Sequence, residues 1–272
     1  MIYLLWPTVR PQAFTAAHAV WMGRASEKSV IRTIVAVNSR TEASLMDGFF
    51  TVVVSPPHIG VCFPAYALCK VLKDQTDHWQ VSSDDIVVLA SDDFVPPPGW
   101  DDYLIDKLRG RGSAALFVRD GIHDPDNKVL SDRTVITLPI LNISCLLALN
   151  YIIYHPDYIH MESDAELYDN LKELNLLIDE RATDQTTFAH HHFICNLRRR
   201  DRWDNEWRSP EARRHDILTY SRRRNLPIHR RLQISTETEF ESCQTIEIFD
   251  KTTDIEANEF DLLGSLQNAR VK

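Results

Sequence analysis

The stretch Asp85-Ile-Val-Val-Leu-Ala-Ser-Asp-Asp-Phe-Val-Pro-Pro-Pro-Gly-Trp100 decides the reading of the chain. Ile86–Ala90 is a short apolar run, mostly β-branched, as expected of a strand buried on both faces of a parallel sheet. It stops at Ser91-Asp92-Asp93, so two adjacent carboxylates sit just beyond a strand's carboxyl end. Pro96–Pro98 oppose immediate re-entry into a helix or a central strand. Gly99-Trp100 then leads into Asp101–Arg109, whose apolar positions suit a helix. Open α/β sheets bind ligands outside the carboxyl ends of their strands, which makes this loop a candidate site for a metal-bound diphosphate. A buried network or a helix cap is the competing explanation for either acid alone.

Length and composition bound the possibilities. The 272 residues can build one large domain with an appendage, and 44% hydrophobic with 25% charged residues is ordinary for a globular chain. A net charge of −9 argues against general nucleic-acid binding, but the charge is uneven. Twelve arginines and five acids fall between Arg198 and Arg231, a local +7 that leaves −16 for the remainder. Such a belt suits an anionic acceptor or a weak membrane-surface contact, and equally a solvated helical face paired with the acidic tail. Five cysteines without a Cys-x-x-Cys pair indicate neither a disulfide framework nor a zinc finger. A reducing, cytoplasmic setting is the expectation, because Met1–Trp6 lacks a basic leader and Leu138–Tyr154 is interrupted by Asn142, Ser144 and Asn150.

Ile2–Trp6, Val30–Val37, Phe49–Val54 and Ile86–Ala90 read as strands, with helices at Phe14–Met22 and Cys62–Lys73 between them. This alternation predicts βαβ units and a mostly parallel central sheet flanked by helices. Three strand ends would then present polar residues on one edge: Thr8 and Arg10, Asn38 and Ser39, and Ser91 to Asp93. Further on, Ala114–Val118 and Thr134–Ile140 read as extended, Asp120-Gly121 and Asp124–Lys128 as turns, and Leu167–Leu177 as a helix capped by Ser163 or Asp164. Thr186–Phe193 reads as a strand in which His190 and His192 face one way and His191 the other. After Phe193 come the arginine belt and then an acidic tail. Phe240, Ile246, Ile248, Phe249, Leu262 and Leu263 could dock that tail on the body.

Two carboxylates plus an imidazole from a distant strand suit Mn²⁺ or Mg²⁺ when a diphosphate supplies the remaining oxygens. Zinc on the histidine triplet would need three or four converging ligands, which alternation opposes. Asp164 and Glu166 are candidates for a general base that takes a proton from an attacking hydroxyl. Neither a Gly-x-x-x-x-Gly-Lys-Ser/Thr loop, nor Gly-x-Gly-x-x-Gly, nor Gly-x-Ser-x-Gly occurs.

The 85–100 stretch resembles the strand and metal loop of family-2-like glycosyltransferases with the GT-A fold. Pro7-Thr-Val-Arg-Pro11, Val35-Ala-Val-Asn-Ser39, Thr137-Leu-Pro-Ile140, His155-Pro-Asp-Tyr158, Ser163-Asp-Ala-Glu-Leu167 and the histidines before Phe193 follow in the family's order. The resemblance implies a Rossmann-like GT-A domain over residues 1–220, with 221–272 as a C-terminal extension. It implies a nucleotide-sugar donor, UDP-linked by preference, held by Thr8, Arg10, Asn38, Ser39, Ser91 and Asp92. Asp93, with Asp92 as rival, would hold the metal together with His190 or His192, and Asp164 would be the base of an inverting transfer to an unidentified hydroxyl acceptor. Ser91 or Ala90 stands where the Asp-x-Asp motif has its first acid. No Gln-x-x-Arg-Trp motif of processive synthases occurs, so a single transfer is implied. Two other readings stand beside this one. A nucleotidyltransferase would share the acids, but it would want an early glycine-rich phosphate loop, and the first glycine is Gly23. A non-catalytic anion-binding module would use the arginine belt alone.

Overall fold

The computed structural model describes residues 1–26, 29–55, 60–128, 134–183, 186–195, 199, 201–234 and 245–250. Its first half alternates strand and helix: β1 (Ile2–Pro7), α1 (Pro11–Arg24), β2 (Ile31–Val37), α2 (Arg40–Ala43), β3 (Phe50–Ser55), α3 (Cys62–Asp74) and β4 (Ile86–Leu89). Next come β5 (Phe94–Val95), α4 (Trp100–Leu108), β6 (Ala115–Phe117) and the small hairpin β7 (His123–Asp124) and β8 (Asn127–Lys128). The second half holds β9 (Ile140–Asn142), α5 (Ile143–Ala148), α6 (Ser163–Glu173), β10 (Leu177–Asp179) and β11 (Ala189–His190). It ends with α7 (Arg202–Glu206), α8 (Pro210–Arg223), α9 (Ile228–Arg231) and β12 (Thr245–Asp250).

Eight strands form one sheet in the order β10-β6-β9-β4-β1-β2-β3-β12. β1 lies parallel to β2 and β4, β2 to β3, and β10 to β6; β9 and β12 run antiparallel to their neighbours. The sheet is thus α/β and mostly parallel, in keeping with the alternation read from the sequence. β1 shows why it is central. Ile2, Leu4 and Trp6 enter the core shared with α1 and α4, while Tyr3 and Leu5 enter the one shared with α3, α5 and α6. All five are fully buried. A strand with no polar face can be stable only with a layer on each side.

The acid loop after β4 is tied to α1. The Trp21 indole donates to the Phe94 carbonyl at 3.1 Å, and the Trp100 indole to the Trp21 carbonyl at 2.9 Å. Arg24 donates to the Pro96 carbonyl at 2.6 Å and Gly99 N–H to the Arg24 carbonyl at 2.7 Å. Gly99 has φ +68°, a conformation that a residue without Cβ adopts at no steric cost, and it turns the chain into α4. The prolines follow directly on the two-residue β5 and precede α4, while β4 has already stopped at Leu89.

Several expectations need correction. The segment expected to be one helix over 167–177 is α6, which starts earlier at Ser163 and stops at Glu173; Leu177 belongs to β10. Neither Ser163 nor Asp164 caps it, because Glu162 precedes the helix with φ +68° and makes no side-chain cap. The expected 186–193 strand shrinks to Ala189–His190. A domain boundary at residue 220 would fall inside α8, whose Arg223 reaches the α6 core, and β12 extends the main sheet beside β3. Ile246 packs against the core. Phe240, Cys243, Leu262, Leu263, Arg198 and Arg200 lie outside the described residues. No described helix is long and apolar enough to cross a membrane.

Glu166 shows how the C-terminal helices are held. It is 3% exposed, accepts the Tyr158 hydroxyl, and receives Arg223 through Nε and Nη2 at 2.8–3.2 Å. Replacing one partner leaves the other charge buried and unpaired. Arg223→Met is accordingly expected to lower the unfolding free energy by about 3 kcal/mol or more in a urea titration. A loss below about 1 kcal/mol would show that water reaches this pair.

Candidate functional site

A cavity of about 570 Å³ opens at the carboxyl ends of β1, β2 and β4. Thr8, Asn38 and Ser91–Asp93 line it together with Asp164, His190 and His192. The sheet order makes this meeting necessary, since three adjacent parallel strands end on the same edge. Thr8 is held there by its N–H bond to the Ala36 carbonyl, and its hydroxyl accepts from Arg10 N–H at 2.9 Å. Asn38 donates its N–H to Glu42 at 2.8 Å. Ser39 instead caps α2 by accepting from Glu42 N–H and does not line the cavity.

The two acids of the loop have different surroundings. Asp92 faces Arg10 Nη1 at 3.2 and 3.3 Å. Arg10 also donates through Nε to Asp201 at 2.6 Å and through Nη2 to Asp201 and Asp204 at 3.2 and 3.3 Å. Burial would lower the guanidinium pKa, but Asp201 and the other two acids outweigh it and hold it above its usual value. Arg10 thus binds three carboxylates, which leaves it little donor capacity for a phosphate. Asp93 accepts the Ser91 hydroxyl and lies 3.4 Å from His190 Nε2.

His190 reaches Asp93 because the backbone carries it there. β11 pairs antiparallel with β5, matching His190 to Phe94. His190 N–H donates to the Asp120 carbonyl at 2.9 Å and His191 N–H to the Asp93 carbonyl at 2.6 Å. The imidazole stacks on the Phe94 ring at 4.3 Å, and His192 lies at 5.1 Å edge-on to it. His191 is exposed, so the separation expected from alternation holds although the strand is short. His192 Nε2 is 3.3 Å from Arg208 Nη2.

Asp164 stands in the first turn of α6, with Oδ1 accepting Ala165 N–H at 2.8 Å, where the helix dipole favours an anion. Glu166, two residues further on, points into the protein toward Arg223 and does not line the cavity. Its role is structural. The wall before α6 is held by Asp216 of α8, fully buried, which accepts the backbone N–H groups of Ile159, His160 and Met161 at 2.7–2.9 Å. The arginine belt divides by function: Arg223 and Arg231 are internal struts, while Arg208 and Arg213 reach the cavity.

Among the described residues no group of three or more His, Cys, Asp or Glu side chains stands ready to hold a metal ion. Asp93 with His190 offers one carboxylate and one imidazole. Such a sparse set fits a divalent ion bound mainly by substrate phosphates, and it does not fit a structural zinc site. Sequence reasoning missed Asp120, which read only as part of a turn, and His123, which falls between the two expected turns; the spacing Asp-x-x-His was the available signal. It also missed Trp207, stacked on His160 at 4.5 Å with Arg10 over its ring at 5.2 Å. Compared with known proteins, the chain matches no protein-family model and no curated sequence.

Burial, then the Arg208 guanidinium, lower the His160 pKa to about 4. The folded state therefore resists a proton that the unfolded chain accepts near pH 6.5, so stability is full above that pH and falls as the pH drops toward 4. This residue should cost the fold roughly 1–2 kcal/mol between pH 7 and pH 5. Urea titrations at the two pH values check it: His160→Phe should show a smaller loss than the unaltered chain, and equal losses would refute the assignment.

Proposed function

We propose that the chain is a metal-dependent glycosyltransferase of the GT-A type, using a nucleotide-diphosphate sugar, UDP-linked by preference, and transferring one sugar with inversion. The observation that carries this reading is the convergence of Thr8, Asn38 and Asp93 with Asp164 and His190 around one cavity at the carboxyl edge of a mostly parallel sheet. The nucleoside would lie against Thr8 and Asn38. Asp93, with His190 or His192, would hold Mn²⁺ or Mg²⁺, and the ion when bound would neutralise charge on the leaving diphosphate. The pairing of Asp92 with Arg10 favours Asp93 as the metal acid.

Asp164 would take the proton of an acceptor hydroxyl. The freed oxygen attacks the anomeric carbon, and the bond from that carbon to the diphosphate oxygen breaks on the opposite face. Nucleoside diphosphate leaves with the bonding electrons. Arg208 and Arg213 at the cavity support an acceptor or phosphate of negative charge. Free Cys62, Cys69, Cys145 and Cys195 are compatible with a reducing, cytoplasmic setting.

Thermal shift with UDP and other nucleoside diphosphates, with and without Mn²⁺, tests the donor assignment. A ligand bound by the folded state alone raises the melting temperature, and Mn²⁺ should enlarge the rise. Asp93→Asn should abolish the Mn²⁺-dependent part; an unchanged response would exclude Asp93 as metal acid. A polyanion bound equally well by Asp93→Asn, with no response to any nucleotide, would favour the anion-binding reading. Asp164→Asn should cut transfer to acceptor by about 10²-fold or more while leaving the donor Kd within twofold. Parallel loss of donor binding would remove the base role.

A further inference from the structure

Asp120 and His123 form a unit at the β6 side of the cavity. Asp120 is 4% exposed, and its Oδ1 accepts the backbone N–H groups of Ile122 and His123 at 2.8 and 2.7 Å. Its Oδ2 faces His123 Nδ1 at 2.8 Å, accepts the Thr137 hydroxyl at 2.7 Å, and lies 4.0 Å from His190 Nδ1. Burial would raise the carboxyl pKa, but these donors, the His123 ring foremost, hold it well below the usual carboxylate range. The Asp120 carboxylate can only accept, so it fixes a proton on Nδ1 and leaves Nε2 for the cavity side. His123 lines the cavity, and no described residue hydrogen-bonds Nε2.

The sheet gives this nitrogen a place along the ligand. β2, β1, β4, β9 and β6 lie side by side in that order. A nucleoside at Thr8 and Asn38 with its diphosphate at Asp93 runs from β2 toward β4. The group beyond the diphosphate continues toward β6, two strand spacings or about 10 Å further. The loop after β6 is where His123 hangs. Asp93 and Asp164 line the same cavity, and their negative charge disfavours a carboxylate-bearing sugar.

We infer that His123 Nε2 hydrogen-bonds a hydroxyl of the transferred sugar, that Asp120 is the positioning residue fixing the orientation of its ring, and that the sugar is neutral rather than a uronic acid. This rests on the donor reading above. The test is calorimetric titration of the full chain with UDP, UDP-glucose, UDP-galactose, UDP-N-acetylglucosamine and UDP-glucuronate in Mn²⁺. At least one neutral UDP-sugar should bind more tightly than UDP, and UDP-glucuronate should not. His123→Ala should erase that margin, a three- to tenfold loss of affinity as for one hydrogen bond of roughly 0.5–1.5 kcal/mol, while UDP affinity stays within twofold. His123→Gln, which keeps a hydrogen-bonding end, should retain part of the margin, and it carries the comparison if the alanine variant fails to fold. No binding of any nucleotide overturns the donor reading and this inference with it. UDP binding with no sugar margin, a margin untouched by His123→Ala, or preference for UDP-glucuronate overturns the His123 assignment alone.

Discussion

The pairing of β5 with β11 is only two residues long on each side, yet the composition of the cavity depends on it. Phe188, His190 and His191 donate backbone N–H groups to the carbonyls of Arg119, Asp120 and Asp93 in turn. That segment joins the end of β6 to the end of β4, across the gap left by antiparallel β9. Backbone hydrogen bonds are obligatory for buried chain, so the stitch is set by peptide geometry and not by the histidines themselves. Side chains then follow: His190 is pressed against Phe94 and aimed at Asp93, and the indole of Trp21 on α1 holds the Phe94 carbonyl.

Electrostatics divides the site into two halves. On one side Arg10, one cation among three carboxylates, bridges Asp92, Asp201 and Asp204, with Trp207 beside its guanidinium. On the other, Asp93, Glu162 and Asp164 line the cavity, with Arg208 and Arg213 among its cations. A net-acidic cavity binds a diphosphate poorly unless a divalent ion accompanies it.

The parallel half of the fold was legible because β1, β2, β3 and β4 are apolar runs separated by helical segments, a pattern that burial on both faces enforces. Thr8, Asn38 and Asp93 were legible for the same reason, since a strand's end can be read from where the apolar run stops. What failed was local. Helix α6 ends at Glu173 although apolar spacing continues to Leu177, because Leu177–Asp179 finds a strand partner in Ala115–Phe117 that no local signal reveals. Glu166 was misjudged as a base because nothing within a turn of it shows Arg223, 57 residues away. Asp120 and His123 escaped notice because a tight turn explains the same residues without their side-chain contact.

Asp216 gives the chain a direction in time. The carboxylate that gathers the N–H groups of Ile159, His160 and Met161 belongs to α8, and the guanidinium that anchors Glu166 follows seven residues later. Every strand from β1 to β10 leaves the ribosome before either, and synthesis proceeds from the N-terminus at about 5–20 residues per second. A nascent chain can thus hold every strand of its main sheet except β12 while the wall bearing Asp164 still lacks its anchors. The cavity is among the last parts of the molecule to take shape, so a growing polypeptide acquires its core well before it acquires a place for a ligand.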